Sequence, residues 1–595
     1  MSQDTGSTET IRDGGLNITE PASMLEVVIG AASSGAYNTY VEYADPAALH
    51  DAHGEGPGVL TADDSLSIAG GPIGFVRCNT SVAQVIGAVT GAFTQGGSKA
   101  SFTHSPDTGA GPDIVTGDVN ATQANGDHTY AIVVTTAGAL GTMAFTIAVD
   151  GGAASAPITS IVSGVYSNTA TGVVITFPAG TYVLNDGYGF AVTAGGGTIT
   201  VTGTAALDAL VRVEILSTGA RGTATFRYSL DGYSGDTESE RTYSEPLVTP
   251  SGGTFAVPGL GINIVFVVTR TFYVGDSFTC QVQCAAPNAT DLADAMAPLV
   301  ATERPWRFVT VATSKRVGDS TAHGLLATAL QSQLSALAAE SVYRAGMIST
   351  GGTTAAEAYA AFSSVTAIRC LTAYGEVRRA TIKPFAGFAF PTTPAVDVMA
   401  SRAADSLPST DLKRVADGPL QQVVKLFHDE RATPSGLDDI KVATLKTFRG
   451  LGKNAYIRQG RIKSAPGSDF TIWPRRIVMD IACETVHEML IREIGKGLRT
   501  TTVTIGNTTY PGVIDPRDRG SIENRVSAAL VSRLVTPLNR EGVPGHVSDL
   551  RYKISPTHNF LSTGVILGQV SIVPLGYVDR AETDLGFAVA LPEEA

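Results

Sequence analysis

The chain has 595 residues, of which 43% are hydrophobic, 16% are charged and 65 are glycine; it is too long for one core, and it leans toward several domains rich in turns and strands. No apolar run reaches the roughly 18 to 20 residues of a membrane span, and the start MSQDTGSTETIRDGG lacks the basic and apolar regions of a signal peptide. The sequence therefore predicts neither stable membrane insertion nor export by a cleaved signal.

The net charge of −13 is unevenly spread. Residues 1–300 hold 27 acids and 8 bases, residues 301–595 hold 28 acids and 34 bases, and residues 441–500 alone hold 12 bases against 5 acids. The later half is thus suited to an acidic partner. Nucleic acid is not the predicted partner, because no interleaved aromatics or known binding motif accompany the basic residues. Five cysteines, Cys78, Cys280, Cys284, Cys370 and Cys483, are too few and scattered for a disulfide framework and suit a reducing compartment. Cys280 and Cys284 would share one face of a strand, but with no partner pair nearby they read as buried small hydrophobes rather than metal ligands.

Residues 1–20 are polar and without period, which predicts an extended arm. LEVVIG (25–30) is an apolar run closed by Gly30 and reads as a buried strand. Asp45 before Pro46 starts a short helix over PAALHDAH (46–53), and GGPIGFVRC (70–78) is a second strand entered through two glycines. With residues 21–100 these form the first part of a helix-and-strand core.

Residues 101–290 change character: short runs rich in Thr, Val, Tyr and Phe are broken by DGG, NDG, DGY and SGG, which predicts an all-β region. It holds an internal repeat. GALGTMAF (138–145) matches GARGTATF (219–226), with Asp150-Gly151 matching Asp231-Gly232 at the same offset of 81, and YVLNDGY (182–188) matches FYVGDSF (272–278) at an offset of 90. Two tandem β modules follow from this, about 101–200 and 201–290, with DG turns joining hairpin strands.

From residue 295 to 435 helix and strand alternate. RFVTVAT (307–313) is a strand, Leu326, Leu330, Leu334 and Leu337 form one face of a helix capped by Ser320, and YRAGMIS (343–349) is the next strand. Strand–helix–strand order predicts a sheet covered by helices whose partners are the strands of 25–78, split by the β region. Over 436–582, Pro474 opens a helix with Val478, Ile481, Ala482, Val486, Met489, Leu490 and Ile494 on an apolar stripe and Asp480, Glu484, Glu488 and Arg492 on the opposite, polar face. A second helix is predicted from near Ser521, with Ile522, Val526, Ala529 and Leu530 inward, until Pro537. HVSDLRYKI (546–554), GVILGQVSIVPL (564–575) and LGFAVAL (585–591) close the chain as strands.

No constellation of nucleophile, base and orienting group appears, so the prediction is no enzyme, no cofactor and no metal. His487-Glu488 begins like a zinc-protease HExxH, but Ile491 stands where the second histidine is needed. Gly450-Leu451-Gly452-Lys453 lacks both the GxxxxGK spacing and the following hydroxyl of a phosphate loop.

Taken together, VVIGAASSGAYNTY (27–40), the glycine-led strand ending at Arg77, the segment SDFTIWPRRIVMDIACETVHEML (468–490) with Arg475 and Arg476 opening a helix, and the run from Gly564 through Pro574 to LGFAVAL resemble the contractile tail sheath family of phages and injection machines. The resemblance covers 21–80 and 295–595; the β region lies outside it, and residues 427–461 replace a shorter family pattern. It implies an α+β multidomain fold: a split α/β sheath core, an inserted all-β region of two tandem modules, and a C-terminal α+β sheath domain flanked by arms at 1–20 and 583–595. It implies a structural subunit that forms a helical homopolymer of stacked rings around a tail tube protein, meets baseplate and tail terminator proteins, and contracts. It places the chain in a virion tail assembled in the host bacterial cytoplasm. Thr8, Ile11, Leu16, Ile18, Leu585, Phe587, Val589 and Leu591 are then the candidates for strand addition between subunits, and Arg475, Arg476, Arg492, Lys496 and Arg499 for facing an acidic tube. The alternative is another virion or surface protein, an adhesin or decoration protein binding a receptor through the β modules. Against a sugar-stacking site there, both tryptophans, Trp306 and Trp473, fall outside the modules.

Overall fold

The computed structural model describes residues 24–578 apart from 93–98, 106–110, 122–123, 125–126, 160, 194–195, 231–240, 268–270, 303–304, 314–319, 380–391 and 422. These residues form a mixed helix-and-sheet chain in two compact units. One is built from the chain through Ser81, Pro287–Val377 and the chain from Thr393 on, the other from Val82–Ala286 with Arg378–Thr392.

The first unit is organised on a seven-stranded sheet in the order Tyr40–Tyr43, Ile73–Arg77, Glu26–Gly30, Phe308–Ala312, Ala345–Ser349, Ala367–Ala373, Ile462–Lys463. The five inner strands run parallel and the two outer ones antiparallel. Val27 pairs with Val309 in register, so strands more than 270 residues apart in sequence are neighbours. The strands Glu26–Gly30, Phe308–Ala312 and Ala345–Ser349 are buried at every position, which fits their mostly apolar residues without alternation: helices cover both faces.

On one face pack α1 (Pro46–His53) and α2 (Pro57–Ala69), against Val28, Ile73 and Phe75. On the other pack α3 (Ala289–Ala301), α4 (Ser320–Ala339) and α5 (Ala355–Phe362), against Val27, Ile29, Val309, Val311 and Ile348. Asp45 caps α1 by accepting from Ala47 N, and Pro46 opens the helix. α2 has no counterpart in the sequence reading. Nine consecutive residues, Gly58 through Leu66, are buried, including Asp63 and Asp64, so it has no polar face to give a helical period. Its close approach needs glycine on both sides, since a Cβ on Gly30 would stand 2.5 Å from the Cα of Gly58. Ser320 is the first residue of α4 rather than its cap.

Asp291 in the first turn of α3 ties the end of the strand Ile73–Arg77 to the returning chain. Its carboxylate accepts from Ser81 N and Ser81 Oγ, both at 2.8 Å, and from Asn79 Nδ2 at 3.1 Å. Further along come α6 (Ala395–Ala404), α7 (Trp473–Ile491) and α8 (Pro516–Leu534). Trp473, Ile477, Val478, Ile481, Ile522, Val526, Leu530 and Leu534 join one core with Phe308, Met347 and Leu371 of the sheet. α8 starts at Pro516, five residues before the predicted start, because Asp515 caps it by accepting from Arg517 N. α7 ends at Ile491, so Ile494, predicted for its apolar stripe, is 79% exposed.

In the second unit, the strand pairing is repeated. One sheet runs Ile158–Thr159, Ala144–Val149, His128–Thr136, Gly187–Val192, Lys99–His104; another runs Leu247–Val248, Thr225–Ser229, Ala209–Ser217, Ser277–Gln283, with Thr90–Ala92 on the last strand. The facing three-stranded sheets, Val165–Asn168, Val173–Thr176, Val119–Asn120 and Thr254–Ala256, Ile262–Phe266, Ile199–Gly203, also correspond. The details recur. Gly141 and Gly222 have φ of 88° and 89°, Thr142 and Thr223 Oγ1 donate to Ala139 O and Ala220 O, and Ser155 and Ser244 Oγ accept from Ile147 N and Tyr228 N. Phe145, Phe177, Tyr182 and Tyr188 form a buried ladder with centroids 4.6, 6.0 and 6.2 Å apart; Phe226, Phe266, Phe272 and Phe278 form the same ladder at 4.8, 5.4 and 6.5 Å. Asp231-Gly232 lies outside the described residues.

Candidate assembly surface

The eight strand-addition candidates, Thr8, Ile11, Leu16, Ile18, Leu585, Phe587, Val589 and Leu591, lie outside the described residues. The five basic candidates lie on or after α7, and they are not one surface. Arg476 is 5% exposed and paired with Asp480 one helical turn on, with Phe470 under its guanidinium at 4.3 Å. It is withdrawn from any outward-facing set, because its charge is already spent on a buried carboxylate. Arg475 is half-buried, with Nη1 at 3.5 Å from Asp469 O. Lys496 bonds Glu493 at 3.0 Å, and Arg499 donates three hydrogen bonds to Asp518, two from its guanidinium and one from its backbone N–H, and so holds that carboxyl down at about 2. Arg492 is exposed and, among the described residues, has no ion-pair partner.

The stripe read as the polar outer face of α7 is its inner face. Asp480 is fully buried and receives Arg369 as well as Arg476; Glu484 receives Arg307 at 2.9 Å and Arg344. Burial pushes the Asp480 carboxyl up, against the pull of Arg476 and Arg369, and lowers the Arg344 guanidinium, against the pull of Glu484. Four guanidiniums on the sheet and α7 thus surround two carboxylates on α7. The arginines come from positions 307, 344 and 369, more than 100 residues before the helix, so no local spacing announces them. Only Glu488, paired with Arg533 at 2.8 Å, and Arg492 sit outward as predicted.

The last described strands form the second feature. Val547–Ile554 and Gly568–Pro574 pair antiparallel into a ribbon, and among the described residues neither has another strand partner. Tyr552 and Ile554 anchor the ribbon to the core that holds Leu530 and Leu534 of α8. Gly568–Pro574 is almost wholly open: Val573 is 53% and the preceding Leu567 52% exposed. Two unpaired edges and an apolar outer strand are what a polypeptide needs to accept a further strand.

For chemistry, no group of three His, Cys, Asp or Glu is placed to hold a metal ion among the described residues. Cys280 is buried, its thiol pushed up to about 11 by that burial, and Cys284 is buried too. His487 is exposed, and Gly450 to Lys453 form an exposed turn.

No family model matches the sequence and no curated protein is similar to it. Solved structures similar to this chain include tail sheath proteins and the sheath and baseplate of contractile injection systems. The sheath tail protein of Listeria innocua shares 11% identity over 94% of this chain and 98% of its own, with a TM-score of 0.38. The sheath tail protein of Desulfitobacterium hafniense shares 11% over 93% and 97%, with a TM-score of 0.34. The contracted helical sheath of the anti-feeding prophage shares 12% over 49% and 75%, with a TM-score of 0.33.

Proposed function

We propose that this chain is a structural subunit of a contractile tail sheath, polymerising around a tail tube and shortening to drive it through a cell envelope. The observation that carries the reading is the ribbon Val547–Ile554/Gly568–Pro574, anchored on a mixed core and, among the described residues, with no other strand paired at either edge. In this reading the first unit is the split sheath core and C-terminal sheath domain, and Val82–Ala286 is a two-module insertion carried by it. The arms 1–20 and 583–595 of neighbouring copies add to the ribbon through main-chain hydrogen bonds, which demand little of side chains, with Thr8, Ile11, Leu16, Ile18, Leu585, Phe587, Val589 and Leu591 alternating across the added strands. Arg492, Lys496 and Arg499 face the tube, while half-buried Arg475 turns into a cleft at the start of α7; because Lys496 and Arg499 already hold carboxylates, their contacts to the tube are weak and release together. The subunit has no enzymatic role, works in a tail assembled in the bacterial cytoplasm, and meets baseplate and terminator proteins at the ends of the polymer. Contraction relaxes a trapped extended packing and needs no fuel at firing.

Electron microscopy of the purified chain tests this. Striated hollow cylinders are expected, shortening without ATP, and chains lacking 1–20 or 583–595 should stay folded and fail to polymerise. Discrete particles from the full chain, or normal cylinders from both truncations, would overturn the reading.

A further inference from the structure

A cleft of about 230 Å³ opens in the first unit between the start of α7 and the segments around residues 411, 441 and 460. Among the described residues, four cations line it, Lys413, Lys441, Arg461 and Arg475, with a single carboxylate, Asp411, and the ring of Tyr577. Two of the cations are held by neutral oxygens. Lys441 Nζ donates to Ser464 O at 2.8 Å, Ser464 Oγ at 3.0 Å and Ala465 O at 2.7 Å, while among the described residues Arg475 reaches only the Asp469 carbonyl and its buried Nε has no hydrogen-bond partner. Lys413 shares Asp411 at 3.5 Å, and Arg461 leans on Asp438 at 3.4 Å. Ile472, which caps α7, offers no side-chain acceptor, so the positive end of the helix adds to the same field. Tyr577 Oη donates to Ser409 O at 2.7 Å, and burial raises its pKa, so it supplies no negative charge. The excess is felt nearby: burial and then Lys441 lower Lys463 to about 8.

We infer that this cleft is a receptor for carboxylate side chains, filled by an acidic segment of a second copy of this chain. Four cations converging on a concave site against two carboxylates, Asp411 and Asp438, call for an anion, and charge-assisted bonds to a carboxylate satisfy Lys and Arg donors together. The volume is below the roughly 300 Å³ at which small-molecule sites begin, which suits one or two acidic side chains better than a nucleotide. The donor is at hand in the same chain, whose residues 1–300 hold 27 acids against 8 bases. The choice of a second copy rests on the polymer reading above; the choice of a carboxylate does not.

The test uses full-length protein and an end-blocked tetraglutamate peptide. Calorimetry at low salt should show binding that falls tenfold or more in Lys413→Gln/Arg475→Gln and in the milder Lys413→Glu, both checked for unchanged melting, and that vanishes in 0.5 M NaCl, a concentration chosen for screening. In sedimentation velocity the peptide should inhibit self-association of the parent chain. Equal peptide binding by parent and folded variants would overturn the site. A chain that polymerises normally despite peptide and substitutions would overturn the inference and leave the polymer reading standing. A chain that stays monomeric yet binds peptide here would overturn the second-copy occupant along with the polymer reading. Peptide binding tightened tenfold by deleting 579–595 would reassign the cleft to the chain's own tail.

Discussion

Arg369 Nη1, on a strand of the central sheet, donates to both oxygens of Asp480 on α7, at 3.0 and 3.2 Å, and Asp480 has no exposed surface. The pair joins the parallel sheet to the helical part of the same unit. Removing one partner of a buried pair leaves the other charge stranded, at about 3–5 kcal/mol. Asp480→Asn should therefore lower unfolding free energy by that order in urea titration, whereas Arg475→Ala, five positions earlier and half-buried, should cost under about 1 kcal/mol. Equal small losses would mean that the network contributes nothing to stability.

The first unit should lose stability as pH rises, in two separable windows. Glu26, buried beside Thr310 and Ser65, has its pKa pushed from 4.5 to about 7 by desolvation. The folded chain therefore holds this proton more tightly than the unfolded chain, and stability present below pH 4.5 is lost as pH climbs through 7. His50 is raised from 6.5 to about 9, first by Asp63 and then by Glu55, so its contribution is complete below pH 6.5 and lost toward pH 9. Glu26→Gln should flatten the lower window and gain up to about 3 kcal/mol at pH 8. His50→Gln should flatten only the upper one. Denaturation midpoints from pH 4 to 10 decide it; an unchanged lower slope in Glu26→Gln would show that the carboxyl is not the titrating group.

Legibility followed locality. The capped helix at Pro46, the apolar run at Glu26 and the repeat at 138 and 219 are all written in neighbouring residues. α2 was hidden because a helix buried on every side has no period, and Gly70, which closes it, reads from the sequence as the entry to the next strand. The polar stripe of α7 misled for the opposite reason. Asp480 and Glu484 look solvated by spacing, and only Arg307, Arg344 and Arg369, distant in sequence, show that they face inward. The cleft was illegible for the same cause, since Lys413, Lys441, Arg461 and Arg475 are joined by folding alone.

The repeated modules make an internal control. Gly141 and Gly222 occupy the same turn with φ near +89°, where a side chain is strained by roughly 1–2 kcal/mol. An added Cβ would meet Ser251 at an ordinary 3.5 Å at Gly222 and Val162 Cγ2 at a tighter 3.3 Å at Gly141, where the exposed valine side chain can give way, so space adds little at either site. Gly141→Ala and Gly222→Ala should each destabilise by about 1–2 kcal/mol and by similar amounts. A loss at one site and none at the other, in thermal unfolding of the full chain, would separate the two turns energetically despite their shared geometry.

The ribbon gives the assembly reading its sharpest handle. Leu567 and Val573 are about half exposed at either end of Gly568–Pro574, and neither belongs to the core that Tyr552 and Ile554 enter. Charged side chains on an open edge are the usual protection against strand pairing. Leu567→Lys/Val573→Lys should thus leave melting within about 0.5 kcal/mol of the parent, as surface substitutions do, while abolishing cylinders in electron microscopy and shifting sedimentation to the monomer. Tyr552→Ala serves as the contrast, because it removes a buried anchor and should destabilise the unit itself by about 3–5 kcal/mol. Cylinders of normal length from the double lysine variant would mean that subunits join elsewhere, since two like charges at positions 567 and 573 oppose any strand laid along them.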